Sequence, residues 1–302
     1  MSIKIIIPGA LSTVQDAGRY GYQAMGFTPS GAADQRALRQ ANRLVGNDIG
    51  EAVIEMTLLG MTVQFSRRCL IAITGADMTP YQNGKPVRTY QTLEVEAGDY
   101  ISMGAAKNGC RAYLAVSGGF DLPRVMGSLS TNLKCGIGGF CGRKLKSGDI
   151  IPLKGRREEL PEMRLKLEKP QYPAEILLRF VWGPQDDMFD DEAKRRFVSS
   201  PYRVQPASDR MGLRLEGQAL KAAGGVDIIS DGIALGSVQI PANGQPIVLL
   251  ADHQTTGGYA KIGTVISADI PAAAQAIPGN VLRFTPVTVE QAQKIAAEDE
   301  DL

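Results

Sequence analysis

Apolar runs in this chain are short, and glycine or proline breaks them almost everywhere. The sequence holds 34 glycines and 17 prolines in 302 residues. Such punctuation leaves little room for long helices and favours many short strands joined by turns, as in a barrel or a sandwich. Residues 62–65, 70–74, 111–116, 175–182 and 247–251 read as strands, and the run Ile3-Lys4-Ile5-Ile6-Ile7 reads as the first.

One turn pattern occurs three times. Ala97-Gly98-Asp99-Tyr100-Ile101, Ser147-Gly148-Asp149-Ile150-Ile151 and Pro278-Gly279-Asn280-Val281-Leu282 each place Gly-Asp or Gly-Asn before an apolar strand. Glycine and asparagine tolerate positive φ, which explains the residue choice. The echo fits two related β domains, and it equally fits the common habit of β-turns. Helices are few. Residues 33–45 place Ala37, Leu38, Ala41, Leu44 and Val45 on one face, with Ser30 as the expected cap and Gly46-Asn47 as the stop. Residues 187–197 carry acids first and Lys194, Arg195 and Arg196 last, matching the helix dipole. Thr288-Val289-Glu290-Gln291 is a capping-box pattern opening a C-terminal helix, and the acidic tail 298–301 is expected to fray.

The expected fold is therefore mostly β with a few helices, in two domains. The charged, proline-containing segment 154–173 reads as a linker between an N-terminal β domain, 1–153, and a C-terminal β domain, 174–302.

Composition narrows the function classes. Hydrophobic residues make up 44% and charged residues 22%, with a net charge of +1, so no basic excess argues for nucleic acid. No apolar run approaches the roughly 20 residues that cross a bilayer, and the N-terminal run is too short for a signal peptide, so a cytoplasmic protein is expected. Four cysteines, Cys69, Cys110, Cys135 and Cys141, form no CxxC pair, and one histidine cannot complete a zinc site of the usual spacing. The thiols are expected to be structural or incidental, and no metal is expected.

The chemistry collects after the apolar stretch 247–251. There Asp252-His253-Gln254-Thr255-Thr256-Gly257-Gly258-Tyr259 brings a carboxylate, the chain's one imidazole, an amide and two hydroxyls together. Two glycines leave room for a ligand beside the backbone, and loops held by a rigid strand are where binding groups collect. Ser208-Asp209-Arg210-Met211-Gly212 adds a hydroxyl, an acid and a guanidinium, either an anion-reading fork or an Asp-Arg pair fixing a loop. Gln239 interrupts an apolar strand and either anchors a loop or reads a ligand. Asp252, His253 and Arg210 are the candidate catalytic groups. Ser208, Asp209, Gln239, Gln254, Thr255, Thr256 and Tyr259 are the candidate substrate contacts. In the first half, Glu55 is expected to pair with an arginine such as Arg19. The glycine-rich run 136–142 is either an anion cradle or a tightly turned connection. No G-x-x-x-x-G-K-[ST] loop and no G-x-S-x-G elbow occurs.

Segments along nearly the whole chain resemble one family. They are Thr13-Val14-Gln15-Asp16, Gly18-Arg19, Gly21-Tyr22-Gln23, Ser30-Gly31-Ala32 with Asp34, Ala41-Asn42 with Leu44-Val45-Gly46-Asn47, and Thr74-Gly75-Ala76-Asp77. Further on come Ala112-Tyr113-Leu114-Ala115-Val116, Gly118-Gly119, Gly127-Ser128, Ser130-Thr131, Gly138-Gly139-Phe140, Gly142-Arg143, Gly183-Pro184-Gln185, Ser208 to Gly212 and Asp252 to Tyr259. The chain is similar to the biotin-dependent carboxyltransferase, or allophanate-hydrolase-subunit-2-like, family, whose bacterial members include the C-type component of 5-oxoprolinase. The resemblance implies cyclophilin-like β-barrel domains. It also implies a hetero-oligomer with B-type and A-type 5-oxoprolinase components, which opens 5-oxo-L-proline to L-glutamate with ATP, the nucleotide site lying here or in a partner. Fused relatives move a carboxyl group from carboxybiotin to urea, and some members antagonise a sensor-kinase inhibitor; both are alternative readings. The chain lacks the Met-Lys-Met context of a biotin acceptor, so no covalent biotin is expected. The absence of the partner domain favours the 5-oxoprolinase reading.

Overall fold

The repeated Gly-Asp/Asn turns share one construction in the computed structural model, which describes residues 1–155, 165–222 and 224–299. Gly98, Gly148 and Gly279 all take positive φ, at 94°, 86° and 95°. Asp99, Asp149 and Asn280 each turn a side-chain oxygen back to the backbone N–H three residues earlier, at 2.9, 2.8 and 2.9 Å. Each turn then joins a neighbouring strand through the same pair of backbone bonds. Gly98 N–H donates to Phe65 and Phe65 N–H donates to the Asp99 carbonyl; Gly148 and Asp149 use Ile5, and Gly279 and Asn280 use Val204. The strand that follows is Tyr100–Ser102, Ile150–Pro152 or Val281–Pro286.

The chain divides into two compact units. One comprises Met1–Arg19 and Ser30–Gln171, the other Tyr20–Pro29 and Tyr172–Leu302. The sequence division differs at two places. Residues 20–29 group with the second unit. Much of the expected linker, 156–164, lies outside the described residues, but Leu165 and Leu167 belong to the first unit. Leu165 exchanges hydrogen bonds with Thr92, and Leu167 N–H donates to the Tyr90 carbonyl at 2.8 Å. Leu165 and Leu167 alternate with Lys166, and that spacing puts two apolar side chains on one face.

In the first unit a six-stranded sheet and a five-stranded sheet enclose a core of Ile3, Ile5, Val63, Phe65, Ile101, Ile54, Met56, Ile71 and Leu114. The other face of the five-stranded sheet, with Leu70, Ala72, Tyr113 and Ala115, packs against Ala37, Leu38, Ala41 and Leu44 of the helix Gln35–Leu44. Burial on both faces explains why Cys69–Asp77 and Asn108–Val116 are apolar without alternation. A barrel was expected in each half; in this half the strands pair as two sheets.

One sequence expectation needs correction here, and a second takes a different partner. Asp34, not Ser30, caps the helix, its side chain accepting from Ala37 N–H at 2.9 Å. Ser30 lies four residues before that cap, in a left-handed turn at φ 54°. Glu55 meets an arginine as expected, and that arginine is Arg111. Its Oε2 accepts from Ala33 N–H (2.8 Å) and Tyr113 O–H (2.9 Å), and Arg111 lies 3.9 Å from Oε1. Arg19, fully buried, donates to the carbonyls of Val125 and Ser130.

The second unit is a closed barrel of seven strands, in the order Glu175–Trp182, Lys261–Val265, Ser237–Gln239, Ile247–Leu249, Gly212–Glu216, Tyr202–Val204 and Val281–Pro286. Parallel pairing of the first and last, from Glu175 opposite Val281 to Phe180 opposite Pro286, closes it. Phe180, Phe197, Tyr202 and Phe284 fill the interior, with Phe197 stacked on Phe284 at 4.5 Å. Phe197 comes from the helix Asp191–Ser199, which starts later than the expected 187 because Asp190 caps it through Ala193 N–H at 2.7 Å. The capping box at Thr288 forms in full and opens the helix Val289–Glu298. A separate two-stranded ribbon pairs Asp227–Gly232 with Thr256–Tyr259, which the barrel strands Ser237–Gln239 and Ile247–Leu249 separate in sequence. No helix among the described residues is long and apolar enough to cross a membrane, and all four cysteines are free thiols.

Candidate functional site

The strand Ile247–Leu249 delivers the polar loop, as its apolar residues require: Val248 and Leu250 enter the barrel core and the chain must then emerge. Leu250 N–H donates to the Met211 carbonyl and Asp252 N–H to the Arg210 carbonyl, both at 2.9 Å, so this loop and the Ser208–Gly212 turn are knitted together. Arg210, 5% exposed, places Nε 2.8 Å and Nη2 3.1 Å from the two oxygens of Asp252. The fork is thus matched by a carboxylate of its own chain. A buried bidentate pair of this kind fixes geometry, because removing either member strands a charge.

Ser208 and Asp209 serve the turn. Asp209 Oδ1 accepts from Met211 and Gly212 N–H at 2.8 and 3.3 Å, and Ser208 Oγ accepts from Arg214 N–H at 3.0 Å.

His253 is 4% exposed, and its Nδ1 lies 2.7 Å from the Gln254 carbonyl oxygen. A carbonyl oxygen only accepts, so Nδ1 carries the proton, and in the neutral ring Nε2 keeps its lone pair. Burial pushes the imidazole below its usual pKa of 6.5, against the pull of the Gln254 carbonyl and the Asp252 charge. The ring is therefore a neutral base at pH 7.

Next to it, Gln254 Nε2 approaches Gln239 Oε1 at 3.5 Å. Val238 and Ile240 enter the barrel core, so Gln239 faces the other way. Lys261 pairs with Gln239 in register, and its neighbour Ile262 enters the core, so Lys261 shares that outward face. Both are nonetheless buried, at 2% and 3% exposure. The two-stranded ribbon covers them. A Cβ on Gly257 would stand 2.8 Å from Gln239 Nε2 and 2.7 Å from Ile233 Cδ1, so the ribbon backbone passes close over both side-chain ends. Gln239 Nε2 is buried with no hydrogen-bond partner among the described residues.

The remaining candidates sit on or beside the two-stranded ribbon. Thr255 gives its carbonyl to Ile233 N–H at 3.0 Å. Thr256 and Tyr259 lie on the strand Thr256–Tyr259, both exposed, opposite Gly232 and Asp227.

A continuous set results: Arg210 with Asp252, then His253, Gln254 and Gln239. Sequence reasoning missed three members that extend it. Lys261 Nζ lies 2.9 Å from Asp231, and Gln185 Oε1 accepts from Lys261 N–H at 3.2 Å. A lysine opening the short strand Lys-Ile-Gly-Thr-Val, directly before the core residue Ile262, was the available signal.

The glycine-rich run 136–142 is a turned connection. A Cβ on Gly138, Gly139 or Gly142 would come within 2.1 Å of Ser130 O, 1.9 Å of Thr131 Oγ1 or 1.9 Å of Gly136 O. The amides of Gly139 and Gly142 donate to the carbonyls of Leu129 and Gly138. Those two amides are spent within the chain and are not open to a phosphate. Among the described residues no group of His, Cys, Asp and Glu side chains could hold a metal ion.

Residues 25–286 match the family described as carboxyltransferase domain, subdomain A and B. The chain is similar to the C-type subunit of 5-oxoprolinase from Escherichia coli (strain K12), 42% identical over 293 residues, which is 97% of this chain and 93% of that protein. It is similar to urea amidolyase of Saccharomyces cerevisiae, 33% identical over 97% of this chain but only 17% of that protein. The crystal structure of the Kluyveromyces lactis urea amidolyase superposes with a TM-score of 0.89 at 30% identity, over 98% of this chain and 19% of that one. That of the Kluyveromyces lactis urea carboxylase gives 0.90 at 29% identity, over 98% and 28%.

Proposed function

The chain belongs to the carboxyltransferase family of subdomains A and B, and from that premise we propose that it is the C-type component of an ATP-dependent 5-oxoprolinase, opening 5-oxo-L-proline to L-glutamate with A-type and B-type partners. The geometric support is the buried amide N–H of Gln239, which has no acceptor among the described residues and stands beside Gln254 and under Gly257. A buried donor without a partner is costly. A lactam carbonyl supplies the missing acceptor, and a fixed donor at that oxygen stabilises the charge that grows there as water adds. The alignment with a C-type 5-oxoprolinase protein over nearly the full length of both chains favours the lactam over urea.

In this reading His253 Nε2 takes the proton that water releases on attacking the carbonyl carbon. It returns the proton to the ring nitrogen as the C–N bond breaks. Asp252, held by Arg210, stabilises the imidazolium in between and fixes the loop. Thr255, Thr256 and Tyr259 border the site from the two-stranded ribbon. The ATP site lies elsewhere in this chain or in a partner protein, and ATP there would activate the lactam oxygen by phosphate transfer.

The test is a product panel. Chain mixed with its A-type and B-type partners, ATP and 5-oxo-L-proline is expected to release glutamate, while carboxybiotin and urea give no carboxylated urea. Carboxyl transfer to urea without glutamate release would place the chain with the urea-carboxylating relatives instead.

A further inference from the structure

Lys261 is the most deeply buried ammonium in the site, its side chain 4% exposed, and its counter-ion is a poor one. Asp231 is 55% exposed in its side chain and belongs to a two-stranded ribbon that stands apart from the barrel sheet. Two strands alone are marginally stable. One Asp231 oxygen takes Lys261 Nζ, the other the N–H of the adjacent Gly232 at 2.7 Å. Burying an ammonium is expensive unless a carboxylate meets it, and an exposed ion pair contributes little. Directly across the strand pair lies Gln239, whose amide N–H has no acceptor among the described residues. A buried cation and a buried orphan donor therefore share one face, under a cover that supplies a carboxylate to the first and nothing to the second.

We propose that Lys261 receives the carboxylate of the substrate, and that Asp231 is a tethered stand-in which the substrate displaces. The substrate is then a small acid carrying a carboxylate beside an amide carbonyl, the carboxylate going to Lys261 Nζ and the carbonyl to Gln239 Nε2. Gln185 Oε1 accepts from Lys261 N–H at 3.2 Å and so holds that strand's backbone. Gly183, two residues before it, runs so close to Lys261 that a Cβ would meet the Lys261 carbonyl at 2.3 Å. This assignment rests on the lactam-acid reading above, and it adds which group reads the acid and what occupies that group beforehand.

The probes are 5-oxo-L-proline and 2-pyrrolidinone, the same ring without its carboxylate, each titrated calorimetrically into the full chain. Wild-type protein is expected to bind the acid and to bind 2-pyrrolidinone at least tenfold more weakly. D231N keeps the side-chain shape and removes the competing charge. Because a competitor lowers apparent affinity by the fraction of sites it leaves open, D231N should bind the acid several-fold more tightly and 2-pyrrolidinone unchanged. K261M should lose tenfold or more for the acid only. Unchanged or weaker acid binding in D231N, equal binding of the two rings by wild-type protein, or no saturable binding of the acid overturns the proposal. Since Asp231 is exposed, D231N reads the idea even if K261M fails to fold. Glutamate release by the three-protein mixture reports separately on the functional assignment. Turnover with D231N affinities unaltered rejects the stand-in and keeps the assignment, whereas carboxylate-selective binding without turnover does the reverse.

Discussion

His253 is the one histidine in the chain, so its titration can be followed without interference. Its proton on Nδ1 is committed to the Gln254 carbonyl, and burial disfavours a second proton on Nε2. An imidazole that binds its proton less tightly when folded than when unfolded lets the unfolded chain take up more protons between the two midpoints. Stability from this group is therefore complete above the unfolded value near 6.5 and falls as pH drops from there toward the folded midpoint. NMR of the imidazole C–H signals should give a midpoint below 6.5, with the Nδ1–H tautomer in the neutral ring. A midpoint at or above 6.5 would remove the neutral base from the mechanism. Arg210 and Asp252 illustrate what a sequence can and cannot say at this scale. The residue types and their loops were legible, but not that the two charges satisfy each other, because 42 positions separate them and only the folded strands bring them together.

The elements were readable wherever local chemistry sets them. Glu175–Trp182 and Thr62–Phe65 have the expected bounds, and the Thr288 capping box forms as its spacing requires. Expectation failed where an element's end depends on a distant partner. Asp34 caps its helix with its own N–H bound to Tyr113 O–H, a residue 79 positions away that no local rule reaches. The three Gly-Asp/Asn turns are the clearest case of local chemistry reused, since the same side-chain bond and the same pair of cross-strand bonds recur in both units. Asn280 closes the turn that leads into the barrel's closing strand. Replacing it with alanine leaves the Ile277 N–H without its side-chain acceptor and should cost about 1 kcal/mol, read as a lowered midpoint in urea unfolding. An unchanged midpoint would mean that the backbone bonds alone hold the turn.

At the scale of the whole molecule, composition pointed to a mostly β protein, and the strands bear this out. One barrel closes completely in the second unit, and the first unit is built from two sheets. What composition could not convey is that the two-stranded ribbon of Asp227–Gly232 and Thr256–Tyr259 folds over the outward face of the barrel. Gln239 and Lys261 are on that face and are buried beneath this cover. The functional account stands or falls on the loop that begins at Asp252, and His253 is its most exacting member. The decisive measurement is glutamate release from 5-oxo-L-proline and ATP by the reconstituted three-protein mixture, with wild-type chain and with His253→Gln, after size exclusion has verified equal assembly. The account predicts release that depends on the chain and falls roughly 100-fold or more in the variant, the scale of a lost general base; release that continues at the wild-type rate with His253→Gln, or without the chain at all, would contradict it.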